Sequence, residues 1–182
     1  MMEDGGPMNT TLAAPARSTR FPDSSRWFAL AFAAGMLVAG MAVAMVSMIA
    51  RPEAVGSNAL QLYPPLYPPD WAFWAIWLII YPCWGVATWL VWRRRSTEDL
   101  RPFWRYFALM FGTNLAFLPI SALTRGNPAV LAMMDALGFV LLPVMVWMYG
   151  RYARAALYWL LPIFVWIPIT LALKVWLTLL NW

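Results

Sequence analysis

Hydrophobic positions fall into five long runs separated by short polar breaks: Trp27–Ala50, Trp71–Trp92, Phe103–Leu123, Val130–Tyr149 and Ala155–Asn181. A helix needs about 20 apolar residues to cross the hydrocarbon core of a bilayer, and each run meets that length. The breaks are sharp. Pro52 follows the first run, Arg93-Arg94-Arg95 the second, Arg125-Gly126-Asn127-Pro128 the third and Gly150-Arg151 the fourth. Backbone groups in lipid must be satisfied within a segment or in a closed barrel, so the pattern predicts an all-α membrane protein, a five-helix bundle with no strands. Residues 1–26 are polar and rich in Pro, Ser, Thr and Gly, and read as a disordered tail ahead of a membrane domain spanning 27–182. A cleaved signal peptide is the alternative, but the first run is longer than a signal core.

Composition agrees with this picture. Of 182 residues 63% are hydrophobic and 12% charged, with mean hydropathy +0.63, whereas soluble domains are about half apolar and a quarter charged. The net charge of +5 does not mark a nucleic-acid surface, because the basic residues cluster at the ends of apolar runs. Arginines 17, 20, 26, 93, 94, 95, 101, 105, 151 and 154 fall on the N-terminal side; the opposite side has Arg51 and Arg125, plus Lys174 within the last run. The positive-inside rule then places the N-terminus in the cytoplasm and Trp182 outside. With no barrel pattern, the expected location is a bacterial inner membrane, cytoplasmic or photosynthetic. Cys83 is the single cysteine and there is no histidine. An intramolecular disulfide, a cysteine metal cluster and imidazole ligation are therefore excluded, as is the commonest general base. No metal site and no catalytic constellation is expected, and the chain reads as a non-enzyme.

Prolines 82, 119, 143, 162 and 168 lie within the runs, compatible with ordinary kinks or with helices bowed around a cavity. Ala31, Gly35 and Ala39 are spaced for close helix approach and are expected to pack the bundle, a dimer seam being the other reading. Thirteen tryptophans divide by position. Trp27, Trp71, Trp92, Trp104 and Trp182 sit at run ends, where indoles anchor at the headgroup level. Trp74, Trp77, Trp84, Trp147, Trp159, Trp166 and Trp176 lie deeper, where the indole N–H needs a partner.

Helical spacing puts Trp77, Tyr81, Trp84 and Thr88 on one face of the second run, Met110, Asn114, Phe117 and Ser121 on one face of the third, and Trp166, Thr170 and Lys174 on one face of the fifth. Such aromatic stripes serve packing more often than binding, but each carries polar groups. Intramembrane ionisable residues are costly and mark functional sites by default. Asp135 is roughly 9 Å and Lys174 roughly 12 Å in from the same side, so the two could meet, either as an ion pair stapling two helices or facing a ligand; Lys174 could also snorkel outward. Val146 to Arg151 fits a loose sterol-contact pattern of little weight.

From Pro68 the second run reads Pro-Pro-Asp-Trp-Ala-Phe-Trp-Ala-Ile-Trp-Leu-Ile-Ile-Tyr-Pro-Cys-Trp-Gly85. This resembles the signature of the TspO/MBR family, the tryptophan-rich sensory and translocator proteins. Asn114, Asp135, Leu160-Leu161-Pro162 with Trp166, and Leu180-Asn181 fall in the same order as that family's later motifs, so that the resemblance covers roughly residues 30 to 182. The chain is identified as a divergent member. The resemblance implies a TspO-like bundle, often dimeric, with a pocket under the loop between the first two helices that takes tetrapyrroles, sterols or synthetic aromatic ligands. By matching positions Trp77, Asn114, Asp135 and Trp166 would line it, with Phe73 and Pro69 near the mouth; Tyr81 and Lys174 join them from the shared faces. The family's loop Trp-Tyr pair falls on Ser57-Asn58, its Trp before Pro-Pro on Leu66, its helix-three Gln on Met110, its Tyr after Pro162 on Ile163, and a late Asn on Lys174.

The functional expectation is a regulatory or carrier protein for a hydrophobic ligand, linked through the family to photosynthesis-related tetrapyrrole and carotenoid control. No cofactor is required; a porphyrin or other tetrapyrrole, a carotenoid or a lipid is the bound group expected. Partners expected are membrane lipids, the small hydrophobic ligand and a second copy in a homodimer, with no nucleic acid. The alternative is an accessory subunit of a larger photosynthetic or respiratory membrane complex, which the lost loop aromatics favour. A transporter lacks support because no internal repeat is visible.

Overall fold

The computed structural model describes residues 25–50 and 61–182. Most of the expected tail, and the Ser57-Asn58 pair, lie outside these residues. The elements are α1 (Ser25–Ala50), α2 (Asp70–Trp92), α3 (Arg101–Leu123), α4 (Pro128–Tyr152), α5 (Ala156–Trp159) and α6 (Leu161–Leu180). All but α5 are long and apolar enough to span a membrane, and no strand occurs among the described residues. Residues 61–69 run without regular structure into α2.

The fifth apolar run is not one helix. It divides at Leu160 into the single turn of α5 and the spanning α6. Pro162 is the reason: it sits in the first turn of α6, where its missing N–H costs nothing. Pro82, Pro119, Pro143 and Pro168 are by contrast inside continuous helices. Asn127 caps α4, its side-chain oxygen accepting from the amides of Ala129 (3.0 Å) and Val130 (3.3 Å). The preceding turn is made by Arg125 and Gly126, both at positive φ.

Neighbours pack in the order α1, α2, α6, α4, α3 and back to α1, a closed ring, with α5 set against α2. The expected role of the Ala31, Gly35 and Ala39 stripe is not observed. Ala31 and Gly35 face outward, and a Cβ on Gly35 would meet nothing within 4 Å. Close approach of α1 and α2 depends on other glycines. A Cβ on Gly85 would lie 2.5 Å from the Phe32 carbonyl oxygen and 2.6 Å from Ala33 Cα, and one on Gly40 would enter the Tyr81 ring.

Toward the arginine-rich end the ring closes into a solid core. Trp84, Phe103, Met145, Tyr149, Leu160 and Ile163 are each at most 1% exposed. Its polar atoms are paired. Trp84 Nε1 donates to the Tyr149 hydroxyl at 2.8 Å, Thr88 Oγ1 lies 2.9 Å from that hydroxyl and 2.9 Å from the Trp84 carbonyl it bonds. Phe103 meets Tyr149 edge-on at 5.0 Å. Tyr149 is therefore enclosed, and the sterol-contact pattern that depends on it does not describe a surface.

Two outcomes follow. Gly85→Ala forces backbone apart and is expected to destabilise the bundle by about 1–3 kcal/mol, whereas Gly35→Ala stays within about 0.5 kcal/mol; thermal unfolding in detergent compares them. Tyr149→Phe leaves the Trp84 N–H buried without an acceptor, at a cost of about 1–3 kcal/mol, read by the same measurement.

Candidate functional site

Toward the other end the helices part, and all five spanning helices contribute to a cavity of about 190 Å³. Helix α2 supplies Phe73, Trp74, Trp77 and Tyr81; α3 supplies Met110, Asn114, Phe117 and Ser121; α4 supplies Asp135; α6 supplies Trp166, Thr170 and Lys174. The helical faces of α3 and α6 identified from spacing thus lie wholly on the cavity wall. The α2 face does not. Its first two members, Trp77 and Tyr81, face the cavity, with ring centroids 5.0 Å apart; Trp84 and Thr88, further along, belong to the solid core. Pro69, the residue preceding α2, is exposed and is not on the wall.

The polar groups within the cavity differ in how they are satisfied. Tyr81 donates to Asn114 Oδ1 at 3.0 Å, joining α2 to α3 across the floor. Asp135 has Thr170 and Lys174 as polar neighbours. The Thr170 hydroxyl donates to the Ile167 carbonyl at 3.0 Å. Lys174, only 8% exposed, does not snorkel out of the bundle; its Nζ donates to the Tyr67 hydroxyl at 3.0 Å. Of the two readings open for the Asp135–Lys174 pair, an ion pair or a ligand-facing role, no salt bridge links the two among the described residues, and Lys174 stands as an electrostatic neighbour of Asp135. Asp135 Oδ2 and Trp166 Nε1 are left buried without a hydrogen-bond partner among the described residues. An acceptor and a donor so placed in an apolar cavity are costly unless something fills them.

The cavity is roofed by part of the loop between the first two helices, under which the family resemblance places the pocket. Leu62 to Pro69 is a tandem Leu-Tyr-Pro-Pro repeat, stiff because each proline fixes φ. Tyr63 and Tyr67 stack edge-on at 4.8 Å. Tyr67 lies 5.6 Å from Phe73, and Phe73 5.4 Å from Trp166, so rings run from the roof to the α6 wall. Asn181 clamps the start of this strap: its Oδ1 accepts from the Leu62 amide and its Nδ2 donates to the Leu62 carbonyl, both at 2.8 Å. Gln61 reaches the Gly126 carbonyl at 3.4 Å. The tandem repeat was the signal that could have identified Tyr63 and Tyr67 in advance.

The family model for TspO/MBR matches residues 27–179, most of the chain. The chain belongs to the TspO/MBR family. Among curated proteins, none matches its sequence. Against the TspO/MBR pattern, the departures noted earlier take definite places. Met110 is a buried apolar part of the cavity wall and Ile163 a buried part of the core. Leu66 is exposed, and the ring stack over the cavity is formed by Tyr63 and Tyr67 instead. Lys174, replacing an asparagine, carries the contact to the strap. The multi-pass membrane character expected from the apolar runs accords with both the helices and the family.

The Asn181 clamp gives a direct expectation. Asn181→Ala removes both bonds to Leu62, each worth about 1 kcal/mol, and should raise hydrogen exchange at the Leu62 amide roughly tenfold or more. Exchange followed by mass spectrometry or NMR in detergent checks this, with amides in the Trp84–Tyr149 core as the unchanged reference.

Proposed function

We propose that this TspO/MBR protein binds a flat hydrophobic ligand in the roofed cavity, a tetrapyrrole being the best fit and a sterol-like molecule the next, in a regulatory or carrier role without catalysis. One observation carries the reading: Trp166 Nε1 and Asp135 Oδ2, a donor and an acceptor, stand buried without a partner among the described residues in a largely apolar and aromatic wall. A tetrapyrrole offers carbonyl or carboxylate oxygens to the indole N–H and pyrrole N–H groups to the carboxylate, while its faces suit Trp77 and Phe73. Lys174 would exchange the Tyr67 hydroxyl for a propionate, a stronger, charge-assisted partner. The roofed cavity is below the ~300–1,000 Å³ usual for small-molecule sites, so binding requires the strap to lift. The proposed orientation puts the strap on the outer face and the arginine-rich end in the cytoplasm of a bacterial inner membrane.

The accessory-subunit reading drew on the loss of loop aromatics. Tyr63 and Tyr67 supply rings over the cavity, which supports the ligand-binding reading.

Titration of the purified protein with protoporphyrin should quench tryptophan fluorescence saturably. Trp166→Phe, which keeps the ring but removes the N–H, should raise Kd roughly five- to tenfold. Fluorescence that stays unquenched, or quenching that never saturates, would sink the proposal.

A further inference from the structure

A second concave site lies at the opposite end of the bundle, separated from the roofed cavity by the Trp84–Tyr149 core. It is a cleft of about 700 Å³ between the end of α2 and the turn joining α4 to α5, lined by Leu90, Arg93, Arg94, Arg151, Arg154 and the backbone around Gly150 to Ala155. Four arginines converge there from two separate stretches of chain. All four are exposed, and no carboxylate among the described residues pairs with any of them. The nearest acidic residues are otherwise disposed: Asp99 lies beside Arg101 at 3.7 Å, and Glu98 is exposed in the turn after α2.

Helix geometry accounts for part of this charge. Arg93 caps α2 and Arg151 lies in the last turn of α4, where cations suit the helix dipole. Each also lies against aromatic rings, Arg93 5.1 Å from Trp89 and Arg151 5.7 Å from both Trp147 and Tyr152. Neither effect explains why four cations should face one another across a cleft without a counter-charge. An anion bridging the walls does.

The cleft's surroundings specify which anion. Trp147, on the same helix as Arg151, is 59% exposed on the outer surface of a bundle that spans a membrane, and Leu90 gives the cleft an apolar edge. A ligand there has its charged part among arginines at the headgroup level and its apolar part along the helices. We infer that the cleft binds the headgroup phosphate of an anionic phospholipid, held by the guanidinium forks of Arg93 and Arg94 on one wall and Arg151 and Arg154 on the other. Guanidinium forks match phosphate oxygens two at a time, and basic pockets at the ends of spanning helices take such headgroups. The lipid then bridges α2 to the α4–α5 turn.

The test uses the full chain reconstituted in vesicles of phosphatidylcholine and phosphatidylglycerol in equal parts, extracted in mild detergent, with bound lipid counted by native mass spectrometry. The wild type should retain phosphatidylglycerol in preference to phosphatidylcholine. Arg93→Gln/Arg154→Gln and, independently, Arg151→Gln/Arg154→Gln should retain roughly tenfold less. Arg101→Gln/Arg105→Gln, the same charge change outside the cleft, should behave as wild type. Equal retention by cleft and control variants overturns the inference, as does no preference in the wild type. Displacement of the lipid by millimolar inorganic phosphate at constant ionic strength also overturns it, by making the site one for the free ion.

Discussion

A bundle in hydrocarbon has no water to satisfy its polar atoms, so each one must be met by another part of the chain or by something the chain holds. That constraint divides this molecule into two halves along its length. In one half the central polar atoms meet one another: the Trp84 indole, the Thr88 hydroxyl and the Tyr149 hydroxyl bond together, the helices close around them, and the Trp89 N–H is the exception among the described residues. In the other, Tyr81 and Asn114 pair, but the Trp166 N–H and one Asp135 oxygen do not. The helices there stand apart. The chemistry of the cavity is thus set by polar groups that the bundle does not itself complete.

Much of the scaffold was legible in sequence because hydrocarbon makes simple demands. Apolar runs of spanning length, broken by arginine or by Arg-Gly-Asn-Pro, identified the helices to within a few residues at most ends, and the i, i+4, i+7 spacing placed Asn114, Trp166 and Lys174 on the cavity faces. Where reading fell short, the cause was contact across sequence. Spacing alone could not say that the α2 face would be divided between cavity and core, since that depends on where Tyr149 of α4 falls. Nor could it say that Gly35 would meet nothing while Gly85 meets backbone, because four-residue spacing gives a stripe but not the side of the helix a neighbour occupies. The fifth run was read as one helix because hydropathy does not register the break at Leu160 that Pro162 dictates. Trp89 received no assignment, and its N–H is another buried donor without a partner among the described residues.

The replacement of asparagine by Lys174 changes how the two ends of the strap are held. One end is clamped through backbone groups of Leu62, a contact insensitive to side-chain identity on the strap. The other depends on a single hydroxyl, Tyr67, meeting a single ammonium. For the proposed lifting of the strap the first would serve as a hinge and the second as a latch, since the Tyr-Pro-Pro units between them are too stiff to absorb much motion.

Under the proposed ligand binding, the Lys174–Tyr67 contact would also make the protein its own competitor. A ligand that needs the ammonium must displace a hydroxyl tethered a short distance away, so its apparent affinity is its intrinsic affinity scaled by the fraction of molecules already unlatched. Ligands that use only Trp166 and the aromatic walls are taxed by the strap's stiffness alone. Selectivity in such a site is then set as much by the closed state as by the bound one: a carboxylate-bearing ligand wins to the extent that its charge outbids a phenol for the same cation.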